Sequence, residues 1–592
     1  MDARLVFDGD CGFCRYCVEY ARAVTLDRVE YRPFQEVASE HPEVTTEEFA
    51  ASIQLFLDGQ RYAGAHAAFH TLALGGTRFW HVLYQRLPGF ASLSEWLYRT
   101  VSTHRVGSLV LAKALFGASL RPAEFGQTAD WLYRGVMLMA LLALGSLWWQ
   151  VDALIGTNGI LPVADFLTAV RDQLGSDAYW RVPTLLWISG TDAFLHGLFG
   201  LGVAACCAGL AGRARVTAAL LVYAVYLSLF YAGQIFMGYQ WDLLLIEALL
   251  LVALLATHRT WGIWLFRLLL FRFMLLSGAV KLLSDDATWA DGSALAYHFE
   301  TQPLPTPVAW FAHHLPGPVL AAGVHITFLI ELVFPFFIFL PRNPRLAAGC
   351  GFVLLQVLIL LTGSYNFFNL LTIVACVALL DDRLLQRLPH LCGLRPRHTG
   401  RHLITGVGSL IAVLGVLVVL AAVTGSRAPR ALLEVFEPAR AVNHYGLFAV
   451  MTTRRDELII EGSLDGETWR AYGFPFKPGN VADYPRVATP HQPRLDWQMW
   501  FAALTTLERA PWMYGFANAL LRAEPSVLVL LEDPFAGEPP AFVRVVRYRY
   551  RFTTPEERAI KGDWWTRERI GPWSPAMRLR RPVVRHDALR LD

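Results

Sequence analysis

Residues 243–256 read LLLIEALLLVALLA, an apolar run broken by one acid, Glu247. Similar blocks follow one another from about Trp131 to Thr424 with short polar breaks. A membrane crossing takes about 20 mostly apolar residues, and only helices or closed barrels satisfy their backbone groups in lipid. The stretch therefore predicts about nine helical spans, centred near Leu142, Leu201, Val225, Leu250, Met274, Leu332, Leu355, Val374 and Val413. So many consecutive long blocks are hard to hide in a soluble core.

The rest of the composition fits that division. Charged residues make up 17% of the 592, below the roughly 25% of soluble proteins, and they gather at the two ends. A net charge of +3 gives no basis for nucleic-acid binding. Basic residues fall in alternate connections: Arg213 and Arg215; His258 and Arg259; Arg342 and Arg345; then Arg383, Arg387, Arg395, Arg397 and Arg401. That is the distribution of cytoplasmic loops. With nine spans it predicts a cytoplasmic N-terminal domain and an extracytoplasmic C-terminal domain. The chain opens without the charged, apolar and small-residue pattern of an export signal, which agrees with a cytoplasmic first segment.

That segment begins RLVFDGDCGFCRYC, Arg4 to Cys17: an apolar strand, an acidic turn with glycine, then cysteines opening a helical pattern. A thiolate at a helix N-terminus is favoured by the macrodipole and by free N–H groups, so Cys11 is the expected nucleophile. Cys14, one turn later, can resolve a mixed disulfide into an internal one. Asp8 and Asp10 oppose a large fall in the Cys11 pKa. An iron–sulfur reading would need a fourth cysteine followed by proline, whereas the next cysteine is Cys206, and Cys17 reads as a core residue. Beyond it, Val29 to Pro33 and Ile53 to Leu57 predict strands, Asp58-Gly59 a hairpin turn, Arg61 to Gly64 the return strand and Ala65 to Leu74 a helix.

With its Asp8, Cys11 and Cys14, the segment from Asp2 to Arg105 resembles the DCC family of thioredoxin-like thiol-disulfide oxidoreductases, whose signature is Asp-x-x-Cys-x-x-Cys. The resemblance implies thiol–disulfide exchange through these three residues without a cofactor. Unlike thioredoxins proper, no proline immediately precedes the Ile53 strand. Val106 to Lys113 is apolar but too short to span, and reads as a link lying near the membrane surface.

Three stretches of the membrane region carry a second resemblance: GSLWWQVDALIGTNGILPVADFL (Gly145 to Leu167), YAGQIFMGYQWDLLLIEA (Tyr231 to Ala248), and Phe271 to Trp310 with its Tyr297-His298-Phe299-Glu300-Thr301-Gln302-Pro303-Leu304-Pro305. These look like the lipase maturation factor family. Its animal members are endoplasmic-reticulum membrane proteins that help secreted lipases fold, so the resemblance implies a role in maturing exported clients such as lipases. Where that family has cysteines ahead of the Tyr-His motif, this chain has Thr288 and Ala294, so a loop disulfide does not transfer.

His196, Glu247, Arg272, His325 and Glu331 lie inside predicted spans, where a charged side chain costs about 2.5 to 3.5 kcal/mol on insertion scales and must find a partner or a wet cavity. Glu247, Arg272, His325 and Glu331 are the candidate intramembrane polar site, with Arg272 and Glu247 the expected pair. His298, His313 and His314 lack a helical i, i+4 arrangement, so the loop from Lys281 to Pro318 reads as a rigid element and no metal site is assigned.

After the last span, Leu458 to Gly462, Trp469 to Tyr472, Ser526 to Leu531 and Phe542 to Phe552 have period-two character and predict a β-rich domain without cysteine. Asn443 to Phe448, Lys477 to Gly479 and PHQPRLDWQMWFAAL (Pro490 to Leu504) again resemble the lipase maturation factor family. The last stretch predicts a helix from Asp496 to Leu504 whose Trp497, Trp500, Phe501 and Leu504 form one apolar stripe, expected to dock on the membrane domain in preference to a client protein.

The expectation is thus a polytopic α-helical membrane protein with a thioredoxin-like α/β domain at 1–105, a linker at 106–130, the spans at 131–424 and a β-rich domain at 425–592. Its expected partners are membrane lipid, exported clients and a cytoplasmic thiol. The competing reading is a membrane enzyme or transporter whose site is the intramembrane polar cluster, although no phosphate loop or nucleophile elbow names a substrate.

Overall fold

The computed structural model describes residues 3–389, 401–425 and 427–579. The chain forms two compact units, Met1–Glu124 with Phe337–Ala347, and Phe125–Phe336 with Ala348–Asp592.

In the first unit, β1 (Ala3–Phe7) leads into α1 (Gly12–Thr25), and α1 crosses over to β2 (Glu30–Pro33), which pairs parallel with β1. A parallel pair needs such a crossover. β3 (Gln54–Leu57) pairs antiparallel with the other edge of β1, and β4 (Gln60–Ala63) with β3, giving the order β2-β1-β3-β4. Between β3 and β4, Asp58 (φ 48°) and Gly59 (φ 81°) are both left-handed, as a tight two-residue hairpin requires. The period-two pattern of β1 sends Leu5 and Phe7 to a core with Val18, Leu55 and Ala67. Val6 faces the opposite way, to Val37, Val44 and Phe49, so both faces of the sheet are covered. Helices α2 (Gly64–Leu74), α3 (Phe79–Arg86), α4 (Phe90–Thr103) and α5 (Arg105–Phe116) complete the unit; α5 takes up the apolar link.

The second unit holds the membrane helices apart from Phe337 and the first turns of Arg342–Thr362, which belong to the first unit. Among the described residues, eight helices are long and apolar enough to cross: Gly126–Trp148, Asp192–Leu210, Arg215–Ala232, Gln240–Thr257, Arg259–Leu283, Gly317–Phe337, Arg342–Thr362 and Thr405–Thr424. The ninth expected block, near Val374, is the shorter Phe368–Leu379, and contacts at its two ends show how it is used. At its start, Asn369 Nδ2 donates to Gln356 Oε1 (2.8 Å) and Tyr365 OH to Gln302 Oε1 (3.0 Å). At its far end, Ala378 O accepts from Arg267 Nε (2.9 Å) near the start of Arg259–Leu283. Asp382, just beyond, accepts from the N–H groups of Gly126 (2.7 Å) and Thr128 (2.8 Å), a carboxylate seated on the N-terminus of the first span. The short helix is thus tied at its start to Gln356 and at its far end to Arg267, and the chain that continues from it reaches the N-terminus of the first span at Asp382. Among the expected basic residues, Arg395 and Arg397 lie outside the described residues.

The C-terminal part forms a four-stranded antiparallel sheet, β6 (Arg470–Ala471), β5 (Arg455–Ser463), β7 (Phe542–Phe552) and β8 (Trp565–Pro572), in that order. One expected strand is corrected: Ser526 to Leu531 lies in and just after the helix Pro525–Leu528. Short apolar runs do not separate strand from helix by periodicity, and Pro525 at the first helical position is pre-set for a helical start.

Candidate functional site

Cys11 is the N-cap of α1, and its sulfur accepts a hydrogen bond from the Cys14 N–H at 3.4 Å. The turn before it is tight: a Cβ on Gly9 would lie 2.8 Å from Pro33 Cβ, and Gly9 N donates to Gln35 Oε1 (3.1 Å). Asp8 organises that turn. Its Oδ1 accepts from Asp10 N (3.1 Å) and Gln35 Nε2 (3.0 Å), while its Oδ2 pairs with Arg105 Nη1 (3.0 Å). Arg105 also donates to Ser102 O (3.0 Å) and to the carbonyls of Ala50 and Ala51, so its cation is held firmly.

These contacts separate the three thiols. Burial raises the Cys11 pKa, but hydrogen bonds from Cys14 and the Phe13 N–H, with the Arg105 charge, outweigh it and the net shift is downward. Burial, then the hydrogen bond and charge of Cys11, push Cys14 up to about 12. Cys17 is pushed up to about 11, mainly by burial. A lowered pKa leaves more thiolate at a given pH, so iodoacetamide at neutral pH should label Cys11 first. Its labelling midpoint should lie below the roughly 8.5 of a free thiol, while Cys14 and Cys17 remain protonated. Mass-spectrometric mapping that finds equal, slow labelling of all three would refute this order.

Beside the pair lies a largely apolar cavity of about 370 Å³, lined in part by Phe13, Cys14, Cys17, Ile53, Tyr98 and Arg105. Ser52 precedes Ile53 in place of a proline, and the Ile53 N–H donates to Tyr98 OH (3.0 Å).

In the second unit, the expected Glu247–Arg272 pair forms and is buried. The other carboxylate oxygen of Glu247 accepts from Asn443 N (3.1 Å), Asn443 Nδ2 (3.2 Å) and Tyr445 OH (2.9 Å). Glu331 has a different partner, Lys281 Nζ at 2.7 Å, which sequence reasoning left out of the set. Glu331 sits in the π-helical turn Leu329–Val333. His325 is exposed and lies near Gly292. The four expected residues thus divide into two buried ion pairs, each with one expected acid, and an exposed histidine. His196, near the start of its span, bridges Asp152 Oδ1 (3.0 Å) and the Trp148 indole (2.7 Å).

A further buried pair was missed. Arg494 holds Asp242 with two hydrogen bonds of 2.8 and 3.0 Å, and Tyr226 OH adds a third at 2.6 Å. Asp242 carried a readable signal, an acid at the head of an apolar block, but its partner lies 252 residues away.

The loop motif is explained by its contacts. Buried Arg455 of β5 donates to the carbonyls of Glu300 (2.8 Å), Gln302 and Pro303 (2.9 Å), and pairs with Glu457 (2.6 Å). Gln302 in turn donates to Thr362 O (2.9 Å). His298 and His313 are each pushed down to about 4, chiefly by burial, so both are neutral at physiological pH. His313 stands 3.8 Å from Glu300 and His314 bonds to Trp310 O (2.7 Å).

The helix expected to dock is Arg494–Ala503. Trp497 is buried against Trp241 (4.8 Å between ring centres) and Tyr365 (5.6 Å), and the Trp500 indole donates to Thr301 O (2.9 Å). Phe501 and Leu504 are 41% and 47% exposed. The buried face is instead continued by Leu495, Met499 and Ala502, so the apolar stripe is only half covered.

Comparison with known proteins agrees with this architecture. The family models for the lipase maturation factor transmembrane domain, the lipase maturation factor C-terminal domain and the DCC1-like thiol-disulfide oxidoreductase match residues 127–387, 441–575 and 5–110. Human lipase maturation factor 2 is 34% identical over 76% of this chain and 82% of its own. Lipase maturation factor 1 of Bos taurus is 34% identical over 77% and 91%. No solved structure matches the chain. With helices of spanning length, the buried Arg455 clamp on its loop motif and a cysteine pair on a DCC1-like fold, this multi-pass membrane protein belongs to the lipase maturation factor family and carries a thiol-disulfide oxidoreductase-like domain.

Proposed function

We propose that the protein assists the maturation of exported client proteins, lipases among them, and that Cys11 and Cys14 carry out thiol–disulfide exchange with a cytoplasmic thiol partner. The Cys11 sulfur at the α1 N-terminus carries the redox reading. As thiolate it attacks a partner disulfide and releases one partner thiolate; Cys14, once deprotonated, attacks the mixed disulfide and releases the other, leaving Cys11–Cys14 oxidised and the partner reduced. Arg105 supports the first step by stabilising the Cys11 anion, and Asp8 positions Arg105. The division into 1–105, 106–130, 131–424 and 425–592 assigns one role to each part: exchange, linkage, membrane anchoring and client contact.

The two intramembrane ion pairs are satisfied by packing partners, which favours a maturation scaffold over a transporter. The proposed sidedness, cytoplasmic for the first domain and extracytoplasmic for the last, is supported by the basic residues in alternate connections of the sequence. A reporter after Arg401 should read cytoplasm and one after Asp592 the outside; both on one side would refute it.

The functional test uses the full protein purified from its native membrane. Cys14→Ser should accumulate mixed disulfides with cytoplasmic thiol proteins, and Cys11→Ser should accumulate none. Deleting the protein should lower the active fraction of exported lipase without lowering its synthesis. An unchanged active fraction overturns the maturation role, and equal trapping by both variants overturns the exchange role.

A further inference from the structure

His66 and His70 lie one turn apart on α2, and His81 reaches them from α3. One ligand atom from each imidazole lies within 4.8 Å of the others, and this is the one such cluster of His, Cys, Asp or Glu among the described residues. In each ring one nitrogen is buried without a hydrogen-bond partner among the described residues: Nε2 of His66, Nδ1 of His70 and Nδ1 of His81. Buried polar atoms are ordinarily paired, and three unpaired imidazole nitrogens in one place, each a ligand in its unprotonated form, ask for a shared electrophile. We propose that His66, His70 and His81 bind a divalent transition-metal ion, Zn²⁺ first, clamping α3 onto α2.

The donor chemistry selects the ion. Imidazoles suit Zn²⁺, Cu²⁺ and Ni²⁺, whereas Mg²⁺ and Ca²⁺ require oxygen. Nitrogens bound at 2.0–2.1 Å in a tetrahedron stand about 3.3 Å apart, so modest side-chain rotations close the set. Three protein ligands leave one position of a four-coordinate ion for water.

The surroundings hold the rings. Tyr62 presents its edge to His66 and His70 at 4.9 and 4.6 Å between ring centres, and Tyr84 stacks on His66 at 4.6 Å. Tyr84 OH is fixed by Glu95 (3.0 Å), which also accepts from His66 N (3.0 Å). The Gln85 amide nitrogen lies 2.9 Å from Nε2 of His81, so turning the amide over brings its carbonyl to the same ring nitrogen. With its carbonyl turned to that nitrogen it accepts the Nε2 proton and leaves Nδ1 free to ligate, the usual outer support of a metal-bound histidine. Burial lowers the pKa of all three rings, so the ligating neutral form prevails at neutral pH. The same helix lines the cavity beside the cysteines with Ala65, Ala68 and Phe69, so the clamp would steady one wall of the redox site.

The test uses full-length protein in detergent with Cys11, Cys14 and Cys17 changed to Ser, which removes the competing thiols of this domain. After chelator treatment it is titrated with Co²⁺, followed by metal content and visible absorption. One displaceable Co²⁺ per chain, with no thiolate charge-transfer band, is expected, and Zn²⁺ should compete it out. His70→Ala should weaken binding at least about 100-fold, and Gln85→Ala by about 10 to 100-fold; His41→Ala should leave it unchanged. His81→Cys in the same background should gain a sulfur-to-cobalt band, which reads the site even if an alanine variant misfolds. No bound Co²⁺ in the parent protein, unchanged binding in His70→Ala, or no new band in His81→Cys overturns the proposal.

Discussion

Arg494→Ala lowers stability by about 3 to 5 kcal/mol, the cost of removing one partner from a buried ion pair. Both Arg494 and Asp242 have fully buried side chains. The guanidinium meets the carboxylate in two parallel bonds and also donates to Phe236 O (2.5 Å). Without it, Asp242 keeps Tyr226 OH and loses its counter-charge. The Arg494 backbone N–H is also tied to Gln150 Oε1 (2.9 Å), so the same residue holds two parts of the membrane domain. The loss should appear as earlier thermal unfolding in detergent and faster proteolysis between Thr424 and Asn443. Replacing both partners with apolar residues, Asp242→Leu with Arg494→Met, should recover much of the loss, because no buried charge is left uncompensated. Wild-type unfolding in Arg494→Ala would show that the pair does not anchor the domain.

Trp497→Ala should cost a comparable 3 to 5 kcal/mol, roughly the range for removing a buried large aromatic. Trp497 is 3% exposed and packs against Trp241, Tyr365 and Tyr239 of the membrane domain. Its indole nitrogen has no hydrogen-bond partner among the described residues, so the loss is one of contact and cavity. Trp500→Phe keeps most of the packing and gives up the bond to Thr301 O, about 1 kcal/mol. Phe501→Ala, at a 41% exposed site, should lose no more than about 1 kcal/mol, since only part of the side chain's transfer energy is at stake. Thermal unfolding of the three variants ranks them. An equal loss at all three positions would restore the continuous stripe as the docking surface and refute the dominance of Trp497.

The docking helix marks the limit of reading a stripe from spacing. Trp497, Trp500, Phe501 and Leu504 share one face, but periodicity does not say which neighbour covers it or how far the cover extends. Here the polar end decides the placement. Arg494 inserts to reach Asp242, Asp496 accepts from Phe476 N (3.0 Å) and Lys477 N (2.9 Å), and the far end of the stripe is left half open. The short helix Phe368–Leu379 shows a related limit. Its length alone falls short of a span, and only the contacts at its two ends show which neighbours hold it, Gln356 at the start and Arg267 at the far end.

The sequence by itself determined what depends on local chemistry: apolar blocks that must be helical in lipid, the period-two strands around Leu5 and Ile459, the Asp58-Gly59 turn, and Cys11 opening a helix after Asp8-Gly9-Asp10. It also singled out Glu247 and Arg272, because a charge within an apolar run needs a partner and these lie on consecutive spans. Only the tertiary structure decided which distant groups meet. Glu331 takes Lys281 instead of joining Glu247, Asp242 waits for Arg494, Arg455 gathers the carbonyls of the loop motif, and His81 closes on His66 and His70. Each of these contacts joins separate elements, and their pairing follows from how helices pack and loops return, a property of the whole fold that no spacing within one element encodes.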